Sequence, residues 1–197
     1  MITARDISLS FNSSHLFSDL SFNIAKGENA CFSGPSGKGK SSLLKMLQGY
    51  VLPDSGTLRI AGKEVNAGNI KHIRPLMAYI PQNVNLPVDN GIELLKLTCG
   101  RSTDEKVDHY LDQLGMPAEM FGKSFDEMSG GQKQRIVIAI CLSLGRSIIL
   151  MDEPTSSLDD ESVGRLVHVV RNLENTTVVS ASHNHKWIRS AGRIIAL

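Results

Sequence analysis

The sequence predicts an α/β fold built on a buried parallel sheet, with a small helical lobe set into it. Three observations predict it. "SIILM" at 147–151 is a continuous apolar run, the mark of a strand covered on both faces. It is followed by a helix-length stretch, "DDESVGRLVHVVRNLE", and two strand-like runs, "TTVVSAS" and "GRIIAL", an alternation that gives right-handed βαβ crossovers. Finally, "GPSGKGKSS" at 34–42 stands between a strand-like "ENACFS" and a helix-like "SSLLKMLQG", so a glycine-rich turn feeds straight into a helix N-terminus.

Taken in order, "ISLSF", "LSFNI", "ENACFS", "GTLRIAG" and "LMAYI" are strand-like, divided by Gly, Pro, Asn and Lys-Gly punctuation. The texture changes near Val88. In "TDEKVDHYLDQLG" the apolar residues Val107, Tyr110, Leu111 and Leu114 recur at helical spacing and Gly115 closes the run. The segment 84–128 is therefore expected to be a helical lobe within one domain spanning 1–197. "IVIAICLSL", Ile136 to Leu144, is about half of the roughly 20 residues a membrane-spanning helix needs and is expected to be a buried helix. In the helix after "SIILM", Val163, Leu166, Val167, Val170 and Leu173 are expected to lie on one stripe.

Composition narrows the function classes. The 197 residues suffice for one domain with a full core. Twenty-one basic and 20 acidic residues, for a formal charge of +1, make no basic footprint, so no nucleic-acid partner and no polybasic membrane anchor are expected. Cys31, Cys99 and Cys141 lack CxxC spacing, which argues against a zinc site or a disulfide framework and for a reducing cytosol. The opening "MITARDISLSF" has no signal-peptide core. Any membrane role is expected to come through a partner. "GRIIAL" ends at Leu197, so no C-terminal regulatory domain is expected.

"GPSGKGKS" matches the phosphate-binding pattern GxxxxGK followed by Ser or Thr, with Lys40, rather than Lys38, in register. Gly34, Gly37 and Gly39 let backbone N–H groups turn inward around a β-phosphate, with Pro35 and Ser36 completing the loop. Lys40 neutralises the β and γ oxygens, Ser41 offers a hydroxyl to Mg²⁺, Ser42 follows in the helix, and the helix N-terminus adds partial positive charge. Lys38 adds a charge that can face solvent. Such a loop fits a kinase, a GTPase or an ATPase alike. "SIILMDEPTSSLD" adds a carboxylate, Asp152, at the tip of a buried strand, where it reaches the metal ion, and Glu153, which can polarise a water in line with the γ-phosphate. No Asn-Lys-x-Asp base-reading element occurs, which disfavours a GTPase. A nucleotide kinase leaves "DEMSGGQKQR", a second anion-binding helix start at 126–135, unexplained.

"GPSGKGKSS", "YIPQN", "MSGGQKQR", "ILMDEPTSSLD" and "SASHN", in that order from Phe11 to His183, resemble the motif set of the ATP-binding cassette (ABC) ATPases. The resemblance implies a P-loop fold of ABC type, with an antiparallel β subdomain beside the parallel core and the helical subdomain. It implies ATP and Mg²⁺ as cofactors, and cassettes that pair head to tail, which gives the second anion site its purpose: Ser129, Gly130 and Gly131 would contact the partner copy's nucleotide, with Gln132 closing the motif. Gln82 resembles the glutamine near Mg²⁺ and the attacking water. Asp159 resembles the aspartate that crosses the dimer interface, and its position also suits a helix N-cap. His183 resembles the histidine that holds the γ-phosphate and orients Glu153. Phe11 stands where the family places an aromatic that stacks on adenine. Departures are small: Met128 replaces leucine, Ser42 threonine, Ser157 alanine and Asn184 aspartate. None removes the base, a metal ligand or the phosphate lysine.

Two functions follow from the resemblance. The first is the ATP-hydrolysing subunit of a membrane transporter, working as an ATP-dependent homodimer, or with a related cassette, on the inner face of the cell membrane through a separate multi-span permease. The second is a soluble cassette in DNA repair, translation or cofactor assembly. One cassette and no sustained heptads favour the first.

Overall fold

The computed structural model describes the chain apart from residues 12–13, 86 and 99–102, so Cys99 lies outside the described residues. In chain order the strands are β1 Ile2–Phe11, β2 Ser14–Ile24, β3 Asn29–Ser33, β4 Ser55–Ile60, β5 Lys63–Glu64, β6 Met77–Ile80, β7 Ile148–Asp152, β8 Thr177–Ala181 and β9 Arg193–Ala196. The helices are α1 Lys40–Leu47, α2 Ile70–Ile73, α3 Gly91–Lys96, α4 Asp104–Gln113, α5 Gly130–Ser143, α6 Asp160–Arg171 and α7 His185–Ser190. Among the described residues, no helix is long and apolar enough to cross a membrane.

Two sheets organise the chain. One is antiparallel, in the order β2-β1-β4-β5, and the other is parallel, in the order β6-β7-β8-β3-β9. Alternation along the parallel strands explains why their sequences are mostly apolar. Ile148, Leu150, Ala30, Phe32, Val179 and Ala181 point into a core shared with α1 and the antiparallel sheet. Ile149, Met151, Cys31 and Val178 point the other way, into a core shared with α4, α5 and α6. With side chains alternating at period two, a strand buried on both faces is apolar at most positions, and its polar members, such as Thr177 and Ser180 of β8, are hydrogen-bonded.

Helix α5 is buried nearly all round, with Ile136, Val137, Ile138, Ala139, Ile140 and Leu142 all in the interior, as the unbroken "IVIAICLSL" requires. In α4, Val107 and Leu111 are buried and Gly115 closes the helix at φ 67°. The stripe expected in α6 needs correction. Val163, Leu166 and Val170 are buried together with Val169, which the expected stripe left out; Val167 and Leu173 pack against the same core only partly buried, and the helix ends at Arg171, before Leu173. The stripe centres near Leu166, and at 3.6 residues per turn Val169 lies closer to that centre than Val167. Strands β1 and β2 run longer than the predicted "ISLSF" and "LSFNI" because register shifts between Ala4 and Ser10 keep them paired.

Register then builds the site. Phe32 of β3 lies beside Ala181 of β8, and Ala181 lies beside Asp152 of β7. The three strand tips that carry the glycine-rich loop, the Asp152–Glu153 pair and the Ser182–His183 pair therefore open at one edge, the carboxyl end where parallel sheets bind ligands.

Candidate functional site

At that edge lies a cleft of about 460 Å³, lined by Gly34, Pro35, Ser36, Gly37, Gly39, Lys40, Ser41, Ser42, Gln82, Glu153 and His183, with Leu16 from β2. The loop leaves β3 at Ser33 and enters α1 at Lys40. Gly39, the residue before that helix, has φ 86°, and a Cβ there would come within 3.0 Å of the Leu16 side chain, so the turn into α1 requires glycine. Lys40 is buried, and its ammonium donates to the carbonyls of Gly34 at 2.8 Å and Pro35 at 2.9 Å, which fixes it across the loop and leaves one proton to donate. Lys38 is exposed, and its side chain does not line the cleft.

At the base of the cleft Ser41 donates its hydroxyl to Asp152 Oδ1 at 2.9 Å. Tyr79 of β6 donates its phenol to the other oxygen, Oδ2, at 3.3 Å. Burial pushes the Asp152 carboxyl above its ordinary range, and these two hydrogen bonds work against that push. Burial, reinforced by the Asp152 charge, raises the Tyr79 phenol to about 12, so it stays protonated and remains a donor.

Glu153 is buried and has φ 45°, an unusual conformation for a residue with a Cβ, worth about 1–3 kcal/mol of strain. Its surroundings hold it there. Its N–H donates to Ala181 O at 2.9 Å, and its carboxylate accepts from the Ser182 hydroxyl at 3.2 Å and the His183 N–H at 3.3 Å. His183 Nδ1 lies 2.9 Å from Glu153 Oε1. The carboxylate accepts there, so Nδ1 carries the proton and Nε2 is left for another partner; the imidazole itself is 73% exposed.

The second helix start, expected from sequence to bind an anion, lies elsewhere on the chain. Ser129 is the N-cap of α5 in a reciprocal capping box: its hydroxyl accepts from Gln132 N at 3.3 Å, and Gln132 Oε1 accepts from Ser129 N at 2.9 Å. Gly130 borders a second cleft of about 290 Å³ with Gln82, Asn83, Val84, Asn85, Lys133, Gln134 and Ser157. Among the described residues Gln82 alone lines both clefts; Ser129, Gly130, Gly131 and Gln132 do not reach the first. Asp159 caps α6 by accepting from Ser162 N at 2.7 Å, which lowers its carboxyl below the usual range. Phe11 ends β1 with 64% of its surface exposed and does not line the cleft.

Sequence reading missed several contributors. Ser182 grips Glu153, Tyr79 grips Asp152, and Leu16 walls the cleft. Gln134 is 1% exposed, and its amide donates to Pro81 O at 3.4 Å, joining α5 to the segment that carries Gln82. Ser182 and Tyr79 both fall inside the quoted motifs "SASHN" and "YIPQN", which was the available signal. Burial pushes the Cys31 thiol up and the Cys141 thiol to about 12, so both are uncharged packing groups.

A family model described as ABC transporter matches residues 17–156. The energy-coupling factor transporter ATP-binding protein EcfA1 of Mycoplasma pneumoniae is 31% identical over 203 residues, covering 98% of this chain and 74% of that protein. The glutamine transport ATP-binding protein GlnQ of Bacillus subtilis is 30% identical over 208 residues, covering 99% of this chain and 86% of its own length. A bacterial ABC transporter cassette solved as a dimer superposes with a TM-score of 0.88 at 25% identity, covering 100% of this chain and 94% of that one.

Proposed function

This chain belongs to the ABC transporter family as an ATP-binding, ATP-hydrolysing cassette, and from that premise we propose that it is the energy-coupling subunit of a membrane transporter, acting as a head-to-tail pair of copies with ATP between them. The observation that carries this reading is the separation of two anion sites on one chain: a loop cleft with its base and metal-facing carboxylate, and a capped helix start that does not reach it.

In this reading the backbone of residues 34–39 and the N-terminus of α1 cradle the β-phosphate, and Lys40 gives its remaining proton to the β and γ oxygens. Ser41 and Asp152, oxygen donors within hydrogen-bond reach of each other, fit Mg²⁺, which favours one or two protein oxygens together with substrate phosphates. Gln82 approaches the same place from β6. When bound, Mg²⁺ neutralises charge developing on the phosphate oxygens. Glu153 takes the proton of the attacking water. His183 holds Glu153 through Nδ1–H, and its Nε2 becomes a donor to the γ-phosphate when the ring is protonated. Ser129, Gly130 and Gly131 present the N–H groups of α5 to the γ-phosphate of the other copy, and Asp159 and Ser157 approach the same interface. Phe11 is placed near the adenine of the bound nucleotide.

Closure of the pair around ATP is the conformational step that a membrane component can use. The helical lobe, which we assign to about 84–128, is the surface offered to a separate multi-span permease, and that contact would put the cassette on the inner face of the membrane. Cargo is not written in the cleft, since the relatives named above carry different transport names on one fold.

Two tests address this reading. Glu153→Gln should keep ATP binding and reduce turnover by about 10² or more; near-normal hydrolysis removes Glu153 as the base. Purification from detergent-solubilised membranes should recover a multi-span protein in fixed ratio with the chain. Recovery only from the aqueous fraction, without such a protein, contradicts the transport role.

A further inference from the structure

Tyr79 has no part in the proposed reaction above, yet its phenol touches the carboxylate at the base of the cleft. Asp152 is gripped at both oxygens, Oδ1 by Ser41 and Oδ2 by Tyr79. A carboxylate held by one donor can rotate about its Cβ–Cγ bond, whereas one held at both ends presents its remaining lone pairs in a fixed direction. The sheet explains how the phenol gets there. Tyr79 pairs with Leu150, two residues before Asp152 on the neighbouring parallel strand, and residues two apart share a face. The side chains of Tyr79, Leu150 and Asp152 therefore lie on the same side, and Tyr79 packs against the core that Leu150 enters. The ring is braced, and its hydroxyl reaches along the sheet to the strand tip. Strand β6 also runs into the segment that carries Gln82, three residues on, so the same bond ties that segment to Asp152.

We propose that Tyr79 is a positioning residue that fixes Asp152, and through β6 the start of the Gln82 segment, in the orientation needed to receive the nucleotide's divalent cation. This rests on the reading of Ser41 and Asp152 as the metal-holding pair. The 3.3 Å separation is long for an O–H···O bond, so the expected effect is about tenfold, the lower end of what an outer partner of a metal ligand contributes.

The test compares the unmodified chain, Tyr79→Phe and Asp152→Asn, each purified whole. Manganese affinity of the ATP-loaded protein is read by electron paramagnetic resonance, metal-free ATP affinity by calorimetry, and folding by thermal unfolding. Tyr79→Phe keeps the ring and its packing, so unfolding and metal-free ATP binding should stay near those of the unmodified chain while Mn²⁺ binds about tenfold more weakly. Asp152→Asn should lose more. Mn²⁺ binding unchanged in Tyr79→Phe but lost in Asp152→Asn overturns the positioning role and leaves the site assignment standing. Unchanged Mn²⁺ binding in Asp152→Asn overturns the assignment itself. Equal weakening of metal-free ATP binding and Mn²⁺ binding in Tyr79→Phe marks a purely structural role and also overturns the proposal. Tyr79→Met, which fills similar volume without a hydroxyl, gives the same comparison if the Phe variant fails to fold.

Discussion

Replacing Ser129 separates the two jobs its side chain holds. As the N-cap of α5 its hydroxyl accepts from Gln132 N at 3.3 Å, one half of the capping box. Ser129→Ala deletes that half and should cost about 1 kcal/mol, or roughly 2–4 °C in Tm for a chain of this size. Ser129→Asp keeps an acceptor at the cap and adds negative charge at the helix N-terminus, a contribution of about 0.3–1 kcal/mol in favour of folding. In the paired state proposed above, however, that charge would face the partner copy's γ-phosphate. Two like charges about 4 Å apart at an effective dielectric of 20 repel by about 4 kcal/mol, enough to weaken pairing by about 10³. Thermal stability should therefore run Asp, Ser, Ala from highest to lowest, while ATP turnover at fixed low concentration runs Ser, Ala, Asp. Thermal unfolding and phosphate release measure the two orders directly. Near-normal turnover in Ser129→Asp, or turnover that simply follows Tm across the three, would refute the assignment of this helix start to a second nucleotide.

Three further substitutions test neighbouring contacts. A Cβ on Gly131 would lie 2.5 Å from the Ser157 backbone oxygen, whereas one on Gly130 would meet Ser157 Oγ at an ordinary 3.5 Å. Gly131→Ala should lower stability by about 1–3 kcal/mol and Gly130→Ala far less; equal Tm values for the two would contradict the close approach of α5 and the Ser157 turn. Asp159 has a carboxyl held below its ordinary range by the Ser162 N–H, so its charge stabilises the fold above the unfolded-state value, and that contribution fades as pH falls through the lowered folded-state value. Asp159→Asn keeps an N-cap without a titratable group. The urea midpoint of the unmodified chain should exceed that of the variant at neutral pH and converge with it under acid; a gap that widens on acidification would reverse the assigned sign.

What the sequence disclosed, it disclosed through contiguous chemistry. The loop, the Asp152–Glu153 pair and the start of α5 are each short runs whose neighbours in sequence are their neighbours in space. The parallel core was legible for a related reason: burial on both faces leaves β7 and β8 mostly apolar, with Asp152, Thr177 and Ser180 as their polar members. Contacts across strands were not legible. Tyr79 and Asp152 are 73 residues apart, and their meeting depends on a register that neither segment encodes alone. Ser182 and Glu153 meet only because β8 lies beside β7. The Ser-x-x-Gln spacing of the capping box is present in "SGGQ", but two glycines at a helix start suit an anion-binding turn equally well, so the run does not by itself reveal the cap. In α6 the difference was at the edge of the stripe: several valines in succession leave that edge ambiguous until a neighbour fixes which side is covered, here the side of Val169 more than that of Val167.

The sandwiched nucleotide is tested most directly by the mass of the Glu153→Gln protein in solution, measured by light scattering with and without ATP. Slowed hydrolysis should trap the closed pair, so ATP should shift the particle from the 21.5 kDa of one chain to twice that value, and removal of ATP should return it. A particle that binds ATP yet keeps the mass of a single chain at every concentration would contradict the idea that each copy completes the other's site.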